Sequence, residues 1–191
     1  MTQTQTDRLS RSLRLSLRPA RVGLVLAALT ILFGQLLGIV FGLNEDAIKD
    51  RLQASAAAVR ESAYGSDDAA VKAVLDKSWS YMQRAHLNAG GLGTTALGFI
   101  MLVCLLGVSW RVTSAISTAL GAGGLGYSVF WMWAGFRAPG LGSTGAAKES
   151  LRWLAMPSSG IFVLATVVVV VMLMVTLVRD GPAPDALEAN S

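Results

Sequence analysis

The sequence predicts an all-α polytopic membrane protein, with four transmembrane helices and an extramembrane antiparallel helical hairpin between spans 1 and 2. Three observations carry this reading. Of 191 residues, 53% are hydrophobic and only 15% charged, against about 25% charged in an ordinary soluble domain. The mean hydropathy is +0.53. The apolar residues also gather into four runs, 22–43, 85–109, 112–136 and 153–178. Each has about the 20 residues that a ~30 Å hydrocarbon layer requires. A backbone in lipid must satisfy its own hydrogen bonds, so each run reads as a helix.

The chain opens on a basic arm, 1–21, with Arg8, Arg11, Arg14, Arg18 and Arg21 opposed only by Asp7. Arginines flanking a first span hold that end in the cytoplasm and rest on anionic lipid. Without aromatic residues, and leading straight into the membrane, the arm is not read as binding nucleic acid. The arm is read as poorly ordered, although residues 8–18 could form a short surface helix. The first apolar run is 22 residues long, longer than the 7–15 of a signal peptide, and no A-x-A-like site follows it. It is therefore read as a retained span. Gly34, Gly38 and Gly42 recur there every fourth residue, giving one smooth helix face for close backbone approach. Packing against the chain's own spans is favoured over a dimer contact, with Gln35 expected to bond across that interface.

Residues 44–84 form the one sizeable polar segment. Seven acids (Glu45, Asp46, Asp50, Glu61, Asp67, Asp68, Asp76) alternate with six bases (Lys49, Arg51, Arg60, Lys72, Lys77, Arg84), the look of a solvated helix face. Ile48, Leu52, Ala56, Val59 and Ala63 recur at helical spacing, as do Val71, Val74 or Leu75, Trp79 and Met82. Gly65 between them can end one helix, and Ser66 can cap the next. No turn signal follows, so one helix should run from about Asp67 to Val108.

Ser109, Trp110 and Arg111 make a short connection that sets the third span antiparallel to the second. The third span carries Gly121, Gly123, Gly124 and Gly126, then an aromatic belt of Tyr127, Phe130, Trp131, Trp133 and Phe136. The sequence AGGLG occurs at both 89–93 and 122–126, and is read as packing rather than ancestry. Residues 137–152 form an outer loop, with a short interfacial helix from about Thr144. Pro157 enters the last span and frees the carbonyl of Trp153, which Ser158 and Ser159 are expected to help satisfy. Residues 179–191 form a flexible cytoplasmic tail.

Few motifs carry chemistry. Gly121, Gly123 and Gly126 match G-x-G-x-x-G, but that fingerprint needs a strand before it and a helix N-terminus after it. Nucleotide binding is rejected. The candidate polar or ligand site is at the outer interface, at His86, Asn88 and Arg84, with the glycines Gly34, Gly38, Gly42, Gly90, Gly91, Gly93, Gly121, Gly123, Gly124 and Gly126 assigned to helix packing. His86 is the single histidine. It is read as an interfacial residue bonding Asn88, a neighbouring helix or a headgroup, ahead of a haem ligand. Met82, four residues before it, is the only candidate axial partner; no cofactor and no metal are predicted. The one cysteine, Cys104, lies in a span and is read as inert. No ionisable residue falls at midplane depth, which argues against ion-coupled transport. Ser114, Ser117, Thr118, Thr94 and Thr95 could line a hydroxyl-rich path.

The reading is a non-catalytic protein of a bacterial-type inner membrane, a subunit or assembly factor whose partners are the bilayer and other membrane proteins or a second copy. A haem- or quinone-associated redox component using His86 and a passive small-solute channel are the alternatives. No catalytic residues are assigned, and the enzymatic reading is the weaker one.

Overall fold

The apolar runs and the charged segment between them resolve into a few long helices. The computed structural model describes residues 15–179. Most of the basic arm, with Arg8, Arg11 and Arg14, and nearly all of the tail lie outside the described residues, as does most of the 8–18 stretch that could form a surface helix. The helices are α1 (Arg21–Ala57), α2 (Arg60–Tyr64), α3 (Asp68–Leu105), α4 (Trp110–Arg137), α5 (Thr144–Ser150) and α6 (Arg152–Arg179). Short 3-10 turns occupy Arg18–Ala20 and Pro139–Leu141, and no strand occurs among the described residues.

Three stretches are long and apolar enough to cross a membrane: Leu15–Ala57, Asp68–Leu105 and Arg152–Arg179. The sequence reading has four; α4 is not among the three, although its 28 residues give it the length. Its glycines, serines and threonines dilute its hydropathy. α4 packs against α1, α3 and α6, and more of its residues are buried than in any other helix. A helix enclosed by other helices gains more from small residues that admit close neighbours than from bulk apolarity.

α1 does not stop where its apolar run does. Only Asn44 leaves helical geometry (φ −131°, ψ 26°), and its side-chain amide donates to the Val40 carbonyl at 3.3 Å. Such local bonding kinks a helix without ending it. The helix ends at Ala57, short of the Ala63 that the apolar spacing suggests, because Val59 turns out of the helix at φ −122°. Gly65, left-handed at φ +57°, closes α2. Ser66 is also left-handed, at φ +63°. With two left-handed residues spent on the turn, the cap of α3 is Asp67 rather than Ser66: its carboxylate accepts from the Ala69 and Ala70 N–H groups at 2.8 and 3.2 Å. Arg60 and Asp68 pair across the turn, an exposed contact worth at most about 1 kcal/mol.

At its other end α3 stops at Leu105, ahead of the end of its apolar run, and Gly107 at φ +65° turns the chain. After α4, Gly142 (φ +64°) and the Ser143 cap start α5. Pro157 lies within α6. Ser158 donates to the Leu154 carbonyl (2.6 Å) and Ser159 to the Ala155 carbonyl (2.8 Å), so neither takes the Trp153 carbonyl. In α-helix geometry each hydroxyl reaches its own i−4 carbonyl, one or two residues past Trp153.

Two hydrophobic cores result. One is aliphatic and alanine-rich, built on Ala27, Ala96, Ile100, Val103, Leu120 and Val169. The other is aromatic, built on Phe41, Tyr81, Met82, Phe130, Trp131 and Leu151. Between them in sequence, on α1, α3 and α4, lie Gly34, Gly90, Gly91, Gly93, Gly121, Gly123, Gly124 and Gly126.

Candidate functional site

The glycines set how closely the helices approach, and this positions His86. On α1, a Cβ at Gly34 would lie 3.0 Å from the Gly90 backbone nitrogen and 3.0 Å from Ala89 Cβ. Further along, a Cβ at Gly38 would lie 2.8 Å from His86 Cε1. The imidazole therefore occupies the space that a side chain at position 38 would fill. Its Nδ1–H donates to the Gly34 carbonyl at 2.7 Å. A carbonyl can only accept, so Nδ1 carries the proton and Nε2 is left with its lone pair or a second proton. His86 thus bonds a neighbouring helix, and not Asn88.

The other residues considered with His86 lie elsewhere. Asn88 is half-buried and makes no hydrogen bond among the described residues. Met82, on α3, is fully buried against α4, its Cγ 2.6 Å from where a Cβ at Gly135 would sit. It therefore faces a different helix from His86. Arg84 sits over Trp131 of α4, its Cζ 4.5 Å from the ring centroid. Two residues along an α-helix are about 200° apart, which is why Arg84 and His86 diverge. The structure does not bring His86, Asn88 and Arg84 together. Among the described residues no group of three or more His, Cys, Asp or Glu side chains gathers.

The other glycines divide into covered and open ones. Gly93 lies against Ile31 and Ala27 of α1, and Gly121 against Gly23 and Leu26. Gly123 and Gly126 lie against Ser158 and Phe162 of α6, with Cβ positions as close as 2.4 Å, while Gly124 meets Leu92 and Phe162 at ordinary contact distance. The two AGGLG copies thus touch through Gly124 and Leu92, but their closest contacts are with other helices. Gly42, Gly90, Gly91 and Gly98 would meet nothing within 4 Å. Gly90 lends its backbone to Gly34, yet its own Cβ direction is empty.

The hydroxyls do not share one path. Ser117 is fully buried against Gly23, and its Oγ has no partner. Ser114 and Thr118 border an open groove with Trp110 and Ile161. Thr94 and Thr95 are exposed on α3, Thr94 donating to the Gly90 carbonyl at 2.9 Å. Gln35 is exposed and forms no hydrogen bond among the described residues, so it does not bond across the α1–α3 contact. Sequence reasoning missed the Trp131–Arg84 contact and the approach of Lys148 to Tyr81 (6.0 Å). Both basic residues and the aromatic belt were visible, but their meeting depends on how α3, α4 and α5 pack.

Comparison with protein-family models, with curated proteins and with solved structures returns no match.

Proposed function

We propose that this chain is a non-catalytic subunit or assembly factor of a bacterial-type inner membrane, holding a partner helix along the open face of α1 and α3. In this reading α4 is a fourth span enclosed by the other three. The segment 44–84 forms a hairpin standing outside the membrane, and the arginines before the first span keep both termini cytoplasmic.

The observation that carries the proposal is the pairing of Gln35 with the open glycines. Gln35 follows Gly34, which rests on Gly90. One residue is about 100° of helix, so Gln35 stands on the flank of α1 beside α3, level with Gly90, whose own Cβ direction is empty. Its amide is exposed in an apolar run without a protein partner. Lipid offers no hydrogen bond, and an unsatisfied polar group in hydrocarbon costs several kcal/mol. Glycines without neighbours add nothing to the fold of this chain, yet small residues beside a polar one are what membrane helices use to associate. The occupant that fits is a membrane helix with small residues at the contact and a hydrogen-bonding side chain facing Gln35. It belongs to another membrane protein or to a second copy.

Size analysis of the chain extracted in mild detergent tests this. A complex larger than one chain should form, and Gln35→Leu combined with Gly90→Leu should dissociate it by tenfold or more. A monodisperse monomer with no bound protein, unchanged by the double substitution, would sink the proposal.

A further inference from the structure

A separate feature lies where α3, α4 and α5 meet. Tyr81 and Trp131 are buried and pack edge to face, with centroids 4.9 Å apart. Two cations stand on this pair. The Arg84 guanidinium lies 4.5 Å from the Trp131 centroid and 5.9 Å from that of Tyr81, and Lys148 Nζ is 6.0 Å from the Tyr81 centroid. A cation over a ring face is stabilised by the ring quadrupole, but its N–H donors still need acceptors.

No carboxylate supplies them. The ion pairs among the described residues are Lys49–Glu45, Arg60–Asp68 and Arg152–Glu149. The acid beside Lys148 in sequence, Glu149, is thus held by Arg152. Beneath Arg84 there is a third unanswered donor: Trp131 is 8% exposed, and its indole Nε1 is buried with no acceptor. Arg84 and Lys148 are far apart in sequence and on different helices, so their sharing of one aromatic platform is a product of the fold.

The level of this cluster is set by its surroundings. Tyr127 packs on Trp131, and the exposed pair Trp133 and Trp153 lies at the same end of α4 and α6. Tryptophan and tyrosine gather at the headgroup layer. There the abundant anion is phosphate. A guanidinium offers it a planar fork of donors and an ammonium offers a point charge.

We propose that Arg84 and Lys148 bind the phosphate of an anionic lipid headgroup, seated over the Tyr81–Trp131 pair. The phosphate oxygens accept from both cations, and the bilayer supplies the ligand at high local concentration.

The test is quenching of tryptophan fluorescence in phosphatidylcholine vesicles containing either brominated phosphatidylglycerol or brominated phosphatidylcholine. The full chain should prefer phosphatidylglycerol by about 25-fold, at about fivefold for each of the two cations near the surface. Arg84→Gln with Lys148→Gln should abolish that preference. Arg84→Lys with Lys148→Arg, which keeps both charges, should retain most of it and shows that the double glutamine variant is not simply unfolded. Arg60→Gln, an exposed charge elsewhere, should leave it intact. A preference unchanged in the double glutamine variant, or lost equally in Arg60→Gln, would overturn the proposal. Adding inorganic phosphate distinguishes the source. If millimolar phosphate leaves the preference intact, the ligand is the lipid; if it displaces the lipid, free phosphate is the ligand and the lipid assignment is overturned.

Discussion

Two sides of α3 use the same kind of residue to different ends. On the side facing α1, Gly93 lies against Ala27 and Ile31, and the Ala89–Gly90 backbone lies against Gly34. On the side turned away, Gly91 and Gly98 meet nothing within 4 Å, and Thr94 and Thr95 are exposed. Internal packing accounts fully for the first set and not at all for the second. A glycine inside a helix costs roughly 0.5–1 kcal/mol relative to alanine, so an open glycine is a cost that this fold does not recover by itself. The difference separates residues that hold the bundle from residues available to something else.

Substitutions should split along the same line. The largest effect belongs at Gly23, where an added Cβ would lie 2.2 Å from the Ser117 carbonyl oxygen. Neither side of that contact is a flexible side chain. Gly23→Leu should lose about 3 kcal/mol or more, the upper end of overpacking costs, read as a lower midpoint in detergent unfolding.

Gly38→Leu comes next, because its side chain needs the space of the His86 ring, which can rotate away. About 2 kcal/mol is expected from the displaced ring. His86→Leu should cost less, about 1 kcal/mol, since it removes one interhelical hydrogen bond of the kind measured at about 0.6 kcal/mol on average. If both variants unfold like the unaltered chain, His86 is not a packing residue and its availability as a ligand must be reconsidered.

Tyr64 gives a comparison with a pH signature. It is 7% exposed and donates its hydroxyl to the Pro139 carbonyl at 2.8 Å, tying the end of α2 to the segment after α4. Burial pushes its phenol above the usual value near 10. A raised folded value means that its contribution is complete below about pH 10 and is lost as pH rises through the raised value. Tyr64→Phe should cost about 1 kcal/mol at neutral pH and should flatten this part of the alkaline decline. An identical decline in the variant would assign the loss to other groups.

The smallest effect belongs to the open face. Gly91→Ala and Gly98→Ala should leave the midpoint within about 0.5 kcal/mol or raise it slightly, as helix propensity favours alanine. A loss comparable with that of Gly38→Leu would erase the distinction between covered and open glycines.

The all-helical class and the long apolar helices were legible because hydropathy and helical spacing are local properties. Gly65 as a helix terminator was equally local. The cap was misplaced by one residue because the left-handed φ of Ser66 follows from the turn as a whole. Gly107 stood in the sequence as a stop signal, but the apolar residues around it hid it. Pairwise meetings were not legible. His86 and Gly38 are brought together by the approach of two backbones, and Lys148 reaches Tyr81 only once α5 is folded against the bundle. Gln35, expected to bond inside the bundle, lies outside it because Gly34 and Gly38 turn the other side of α1 toward α3.

The central claim is that the flank of α3 at Gly90, beside Gln35 of α1, is covered by protein in the membrane. Photo-crosslinking in intact membranes tests it directly, with a photoreactive side chain placed at Gly90 or, for comparison, at Val170, which is exposed on α6. The account predicts a protein-sized adduct from position 90 and none from position 170. No protein adduct from 90, or equal adducts from both positions, would contradict it.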